Sequence, residues 1–317
     1  MNLCEQLKTE YSQLENLKKE FEQVFDEAVK TGDTTKAKQL KKEIQEKLQS
    51  LKEKIIPKEI KANFKNPETN QTKEITINIQ EKIQEFQEFY KSHNLPIPNE
   101  QEIKKIFQKN KAEIQKEIET YGYDNVLIVP ENLPNTSSLE QKMTEGYVAT
   151  WTGDNFNQAN GFVGAKHTES QKAKIILIHN DQNIHQNQNA SPFAKATLDK
   201  DIMQLSGLTQ SELARRIQNK ESIPINFEKN INGKNMQVEA EGLSLNEYLI
   251  LQRQYFEKNQ KHLDEKGWTW LPKSFSASRV CDSGWVAGGS RLRVAAGGLG
   301  SSTGGLSCRL SRSFELA

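Results

Sequence analysis

Apolar side chains recur at steps of three and four along the first 56 residues. Leu3, Leu7, Leu14, Leu17, Phe21, Val24 and Ala28 form one run, with a full heptad between Leu7 and Leu14. Ala37, Leu40, Ile44, Leu48, Leu51 and Ile55 form a second, ended by Pro57. This spacing puts each run on one face of a helix. Thr31-Gly32-Asp33-Thr34 interrupts the pattern, with Thr34 the expected N-cap of the second helix. The prediction is an antiparallel coiled-coil-like hairpin. Its narrow stripes suit either a core completed by a second copy, hence a homo-oligomer through the N-terminal helices, or a solvated stalk.

Residues 80–92 and 99–120 continue the helical period, with Pro96 and Pro98 between them. The period then changes. Asn125–Val129 and Lys174–His179 read as short buried strands, Gly146–Thr152 as another, and residues 137–145 as a short helix. Residues 209–218 and 245–261 return to helix, the second with Tyr248, Leu249, Gln252 and Phe256 at helical spacing. The chain after Trp268 returns to strand patterning. The expected fold class is α+β: a helical N-terminal module over residues 1–120 and a mixed domain over residues 121–317.

The last 44 residues keep a two-residue period despite 18 Gly and Ser. Arg291-Leu292-Arg293-Val294 alternates polar and apolar, and Leu306, Cys308, Leu310 and Phe314 share one parity. Short strands with one buried face account for this better than a flexible linker does.

Composition changes the picture at one point. Residues 1–273 hold all 35 Lys and all 26 Asn, whereas Ser274–Ala317 has neither, and also lacks Gln, His and Tyr. That segment holds eight of the 18 Gly, ten Ser and five of the eight Arg. Lys and Asn are the residues whose codons all begin with two adenines, so the segment reads as one whose adenines have been rewritten.

The remaining bulk features narrow the classes. Net charge is +1 with interspersed Lys and Glu, which provides no basic field for nucleic acid. No apolar run reaches the roughly 18 residues of a membrane span, and Met1–Glu10 has no signal-like apolar stretch, so a soluble cytoplasmic protein is expected. Cys4, Cys281 and Cys308 are too few for a disulfide framework or a cysteine-rich metal site.

Several motifs fall short of a function. Leu208–Ile217 looks like the first helix of a helix-turn-helix, but Pro224 interrupts the would-be recognition helix. His167, His179 and His185 match no metal-ligand spacing and read as polar loop histidines. Cys281 and Cys308 lie 27 apart with no adjacent His to act as base. Gly297-Gly298-Leu299-Gly300 lacks the Lys and helix of a phosphate loop. No catalytic residue, metal ligand or cofactor is assigned.

Trp268-Thr269-Trp270-Leu271-Pro272, Arg279-Val280, Trp285, Arg291–Val294 and Leu306–Phe314 resemble the ends of variable proteins of diversity-generating retroelements. These proteins carry a C-type lectin-like domain of the formylglycine-generating-enzyme subtype. The resemblance extends over about 200 residues, including Tyr147–Phe156, and is concentrated in the last 50. In that family a reverse transcriptase rewrites adenines at the 3′ end of the gene. Gly is expected at position 307, where this chain has Ser.

The resemblance implies a split between framework and display within a hypervariable segment of about 279–305. Trp285, Leu292, Val294, Leu306, Leu310 and Phe314 would be framework, together with Arg309 and Arg312, whose forked guanidinium groups can pin carbonyls or carboxylates. The ligand-binding display positions would be Cys281, Asp282, Gly284, Val286, Gly288, Gly289, Ser290, Arg293, Ala295, Gly297, Gly298, Ser301, Ser302 and Gly304. Most are small, and Arg293 is the one hot-spot residue type among them, so a shallow surface or a concavity is expected. The ligand would be a protein or other surface, its identity set by the varied positions.

Two other classes stay open. An oxidoreductase related to the formylglycine-generating enzyme would show tight, copper-dependent thiol oxidation. A helical scaffold would keep partner binding after truncation near residue 120.

Overall fold

The computed structural model describes residues 3–55, 57–146, 149–152, 166–167, 172–183, 191–194, 200–276, 278–302 and 305–316. The chain divides into two compact units, Met1–Pro57 and Lys58–Ala317.

The first unit is the expected hairpin. Helices α1 (Leu3–Thr31) and α2 (Thr35–Ile55) bury Val24, Ala28, Ala37 and Leu40 between them, with Leu17 and Phe21 packed alongside. Gly32 closes α1 at φ +79°, a conformation that favours glycine, and its N–H donates to the Ala28 carbonyl at 2.8 Å. The Thr34 carbonyl accepts from Lys38, while the Asp33 carboxylate accepts the Thr35 N–H at 2.9 Å. Phe25 and Val29 remain exposed on the outer face of α1.

The second unit begins much earlier than residue 120. Strands β1 (Glu59–Lys65) and β2 (Thr72–Asn78) form an antiparallel hairpin, with Ile60, Ala62, Phe64, Ile75 and Ile77 buried at every second position. Helices α3 (Ile79–Ser92), α4 (Glu100–Lys109) and α5 (Lys111–Tyr121) follow. Asn78 and Asn99 cap α3 and α4 by accepting the N–H groups of Glu81 and Glu102. The helix expected over 99–120 is therefore two helices, broken at Asn110 (φ −103°, ψ 11°), whose amide donates back to Ile106. These helices pack into the same core as the strands after them, and the Tyr90 hydroxyl donates to the Ile128 carbonyl at 2.8 Å. The boundary near residue 120 is replaced by one at Pro57–Lys58, because burial crosses residue 120 without a break.

Strand β3 (Asn125–Val129), helix α6 (Thr136–Met143) and strands β4 (Ala149–Thr152) and β6 (Lys174–Ile178) match the expected order, while the short strand β5 (Lys166–His167) between the last two was not expected and puts His167 in a strand rather than a loop. After them come α7 (Ile202–Ser206), α8 (Gln210–Asn219), the hairpin β7 (Ile225–Ile231) with β8 (Lys234–Ala240), and α9 (Leu245–Asn259). Ser244 and Glu247 form a reciprocal capping box at the start of α9.

The C-terminal strands are β9 (Trp268–Ser276), β10 (Arg279–Val286), β11 (Arg291–Gly297), β12 (Leu306–Cys308) and β13 (Ser311–Glu315). Among the described residues they build a sheet in the order β12-β9-β10-β11-β4, with β5 also pairing with β9. The β11/β4 and β12/β9 pairs are parallel, and the others antiparallel. β13 leaves this sheet and joins β6 and β3 in a second, antiparallel one. The architecture is thus mixed α+β. No described helix is long and apolar enough to cross a membrane.

Candidate functional site

Pairing register decides which side chains share a face of β10 and β11. Asp282 pairs with Ala295, Gly284 with Arg293, Val286 with Arg291, and Val280 with Gly297. Side chains alternate along a strand, so Asp282, Gly284, Val286, Arg293, Ala295 and Gly297 belong to one face of this pair. Leu292 and Val294, both fully buried, belong to the opposite face with Trp285. Ser283 shares that opposite face, and its hydroxyl donates to the Arg293 carbonyl at 2.8 Å.

Strand β9 completes the Arg293 face. Asp282 is in register with Trp270, which is in turn in register with Cys308. The Arg293 guanidinium lies over the Trp268 ring, 4.2 Å from its centroid. Trp270 is fully buried, and its indole N–H donates to the Lys200 carbonyl at 3.3 Å. On β4, Trp151 pairs with Arg293 in parallel register. The site is therefore a strip of small side chains bordered by indole and guanidinium groups, a combination suited to van der Waals and cation–π contacts.

Asp282 is its unusual acid. Burial pushes the carboxyl up to about 6, while the positive charge of Arg293 pulls the other way. At 7% exposure it belongs to the site's floor rather than its rim.

The loops at the two ends carry the more accessible positions. Ala287–Gly289 form a 3-10 turn closed by Ser290, whose φ of 44° is left-handed. A side chain placed on Gly288 would meet no other atom within 4 Å, and one on Gly289 would meet only the flexible Arg291 side chain. After β11, the Ser301 N–H donates to the Gly298 carbonyl at 3.0 Å. Ser302 and Ser290 are exposed, and Val286, Gly298 and Ser301 are partly so. Gly304 lies outside the described residues, as does His185.

Two expected display positions are corrected by this geometry. Cys281 is fully buried and pairs with Leu271 on the core face, so it does not face solvent. Gly284 sits against the Gly267 carbonyl and the Trp268 ring, where any Cβ would collide with backbone. Gly297 is constrained too, because a Cβ there would collide with the fully buried Trp270 ring. Ala295 is also buried, at 6% exposure. The one-face arrangement was legible from parity; the backbone and indole rings above two of its glycines were not.

The framework arginines divide. Arg309 is 3% exposed and makes a forked ion pair with Asp264, through Nε–Oδ2 at 3.0 Å and Nη2–Oδ1 at 2.8 Å. It also donates to the carbonyls of Asp181 and Gln182. Arg312 is partly exposed and reaches Glu113 at 3.5 Å, a weaker arrangement. Ser307 is a fully buried strand residue, and the left-handed turn nearby falls at Gly305 (φ 89°).

Cys281 and Cys308, the free thiols among the described residues, do not form a pair. Cys281 is in register with Leu271, and Cys308 with Trp270, so β9 separates them on opposite faces. Burial pushes both thiols up, that of Cys308 to about 12, which keeps each protonated at neutral pH. Among the described residues no group of three or more His, Cys, Asp and Glu could hold a metal ion. Compared with known proteins, the chain matches no family model, no curated protein and no solved structure.

Proposed function

We propose that this chain is a hypervariable ligand-binding protein without enzymatic activity, diversified by adenine-directed retroelement mutagenesis and displaying its varied residues from a C-type lectin-like domain. The observation that carries the reading is the register of β10 and β11, which puts the partly exposed Val286 and Arg293 on the face opposite the fully buried Leu292 and Val294. A receptor that changes sequence wholesale must separate the residues that bind from those that fold, and strand alternation achieves this separation. The loss of every Lys and Asn after residue 273 supports the same reading at the level of codons.

The sites that combine accessibility with tolerance of new side chains are Val286, Gly288, Gly289, Ser290, Arg293, Ser301 and Ser302. They bracket the Arg293 face from both ends. The ligand is a protein or other macromolecular surface presenting a protruding group to this strip.

The test is a library of the full chain randomised at those seven positions. Most members should keep the parent's thermal unfolding midpoint, and selection on an immobilised protein should return binders that lose affinity when the seven positions revert. Widespread unfolding of the library, or selected binders whose affinity maps to the hairpin of residues 3–55, would contradict the proposal.

A further inference from the structure

The N-terminal hairpin leaves an apolar strip uncovered. Among the described residues four large apolar side chains stand exposed, and three of them, Tyr11, Phe25 and Val29, lie on α1. Successive residues turn by about 100° around a helix, so relative to Leu14 the buried Val24 and Ala28 sit at about −80° and −40°. On the same scale Phe25 sits at about +20°, and Tyr11 and Val29 at about +60°. The exposed strip therefore borders the buried one directly. Half-buried Phe21 joins the two, its ring centroid 5.9 Å from that of Phe25. Together they make an apolar arc of about 140° on α1, wider than the seam that one partner helix covers.

The core inside the hairpin is thin. α1 and α2 bury Leu14, Val24, Ala28, Ala37, Leu40 and Leu51, and two of these six are Ala. Residues Met1–Pro57 form a compact unit of their own. A unit of this size buries a small share of its surface, and its helices draw most of their stability from packing an apolar face. A second pair of helices laid on the Tyr11–Val29 strip would supply that packing.

Charge selects the occupant. α1 has four Lys against six Glu and one Asp, a net charge of −3, whereas α2 has seven Lys against three Glu, a net charge of +4. A helix suited to the open side of α1 is therefore basic with an apolar stripe. α2 is such a helix, with Ile44 and Leu48 only half-buried along its stripe. We propose that the Tyr11–Phe25–Val29 face docks a second copy of this chain, the two hairpins forming a four-helix bundle in which each α1 lies between its own α2 and that of the other copy. A two-fold axis along the bundle gives this arrangement, with oppositely charged antiparallel neighbours throughout. A two-fold across the bundle would instead stack α1 on α1 and bring like charges together.

The dimer carries two copies of the second unit. Under the display reading, this bivalence adds avidity to a face with few hot-spot side chains. The dimer itself does not depend on that reading.

The experiment is sedimentation equilibrium of the full chain over a concentration series, without ligand, at about 0.05 M and about 0.5 M NaCl. The expected result is a reversible monomer–dimer equilibrium whose dissociation constant rises about threefold or more at the higher salt. Phe25→Glu combined with Val29→Glu should raise it about a hundredfold or more, since each substitution acts twice in a two-fold dimer. Ile97→Glu, at the exposed apolar residue outside the hairpin, should leave it within about twofold. A monomer at every concentration would overturn the proposal, leaving the face to solvent or to a different protein. So would a dimer indifferent to the double substitution, one equally weakened by Ile97→Glu, or one that tightens with salt. The salt series needs no substituted chain to fold, and the absence of ligand keeps every outcome separate from the display reading.

Discussion

Arg309 reaches from the end of β12 to Asp264 and forms a two-pronged ion pair in which the arginine is 3% exposed and the aspartate fully buried. Tyr248 adds a hydrogen bond to the same carboxylate at 3.1 Å, and the Asp264 carbonyl accepts the Trp285 N–H. One contact therefore ties the last strands, the start of α9 and the end of β10 together. Replacing Arg309 with Ala should cost about 3–5 kcal/mol, because it leaves a buried carboxylate uncompensated. Arg309→Lys should be only partly better, lacking the fork. Denaturant unfolding of both variants checks this; a loss under about 1 kcal/mol for Arg309→Ala would contradict it.

Glycines on and beside the Arg293 face should respond very differently to the same methyl group. Gly284→Ala drives a Cβ into the Gly267 carbonyl and should destabilise by about 1–3 kcal/mol. Gly288→Ala meets open space and should stay within about 0.5 kcal/mol of the parent. Thermal unfolding of the two variants under one condition makes the comparison; equal effects would remove the distinction between framework and display glycines.

The acid limb of stability should carry the signature of Glu247. Burial alone would raise this carboxyl, but Lys273 and Lys174 hold it at about 2, with Lys174 Nζ 2.6 Å away. Its folded value lies below the ordinary 4.5. The stabilisation is therefore complete above pH 4.5 and lost as pH falls toward 2. Glu247→Gln should flatten that window and cost about 3–5 kcal/mol at pH 7, since Lys174 stays buried. Unfolding midpoints measured across this pH range decide it.

Asp282 should behave in the opposite sense. Its folded value of about 6 lies above the ordinary 3.8, so the folded chain holds the proton more tightly and loses stability as pH rises between those values. Asp282→Asn should leave stability unchanged at pH 3.5 and increase it by on the order of 1–3 kcal/mol at pH 7.5. Equal stability of variant and parent at pH 7.5 would show that Arg293 or solvent already neutralises the cost.

Much of the architecture was readable from periodicity. The α1–α2 hairpin, β3, β6, α8 and α9 fall within a few residues of their expected spans because each has a clean helical or strand pattern. The hairpins β1–β2 and β7–β8 were harder to see, since charged and amide residues occupy every second position and dilute the apolar signal. Their cues are nevertheless present: Ile60, Ala62 and Phe64 alternate, and Asn232-Gly233, at φ 50° and 80°, provides the turn between β7 and β8. The domain boundary failed for another reason. A core shared by α3–α5 and the later strands depends on contacts far apart in sequence, such as Gln254 with Glu85 at 3.0 Å, and no local pattern announces them.

At the candidate site, parity located the Arg293 face but could not locate what lies above it. The contact of Trp268 with Arg293 and the burial of Trp270 over Gly297 arise from the pairing of β9 with β10, a register that side-chain alternation leaves undetermined. The same holds for Cys281, whose place on the core face follows from pairing with Leu271.

The display account is tested most directly by the DNA downstream of the gene. It predicts a near-repeat of codons 274–317 that differs almost only where the repeat carries adenine, next to a reverse-transcriptase gene, with the differing codons falling on the Arg293 face and its flanking loops. Absence of such a repeat, or a repeat whose differences are spread over all four bases and fall equally on Leu292 and Val294, would contradict the account.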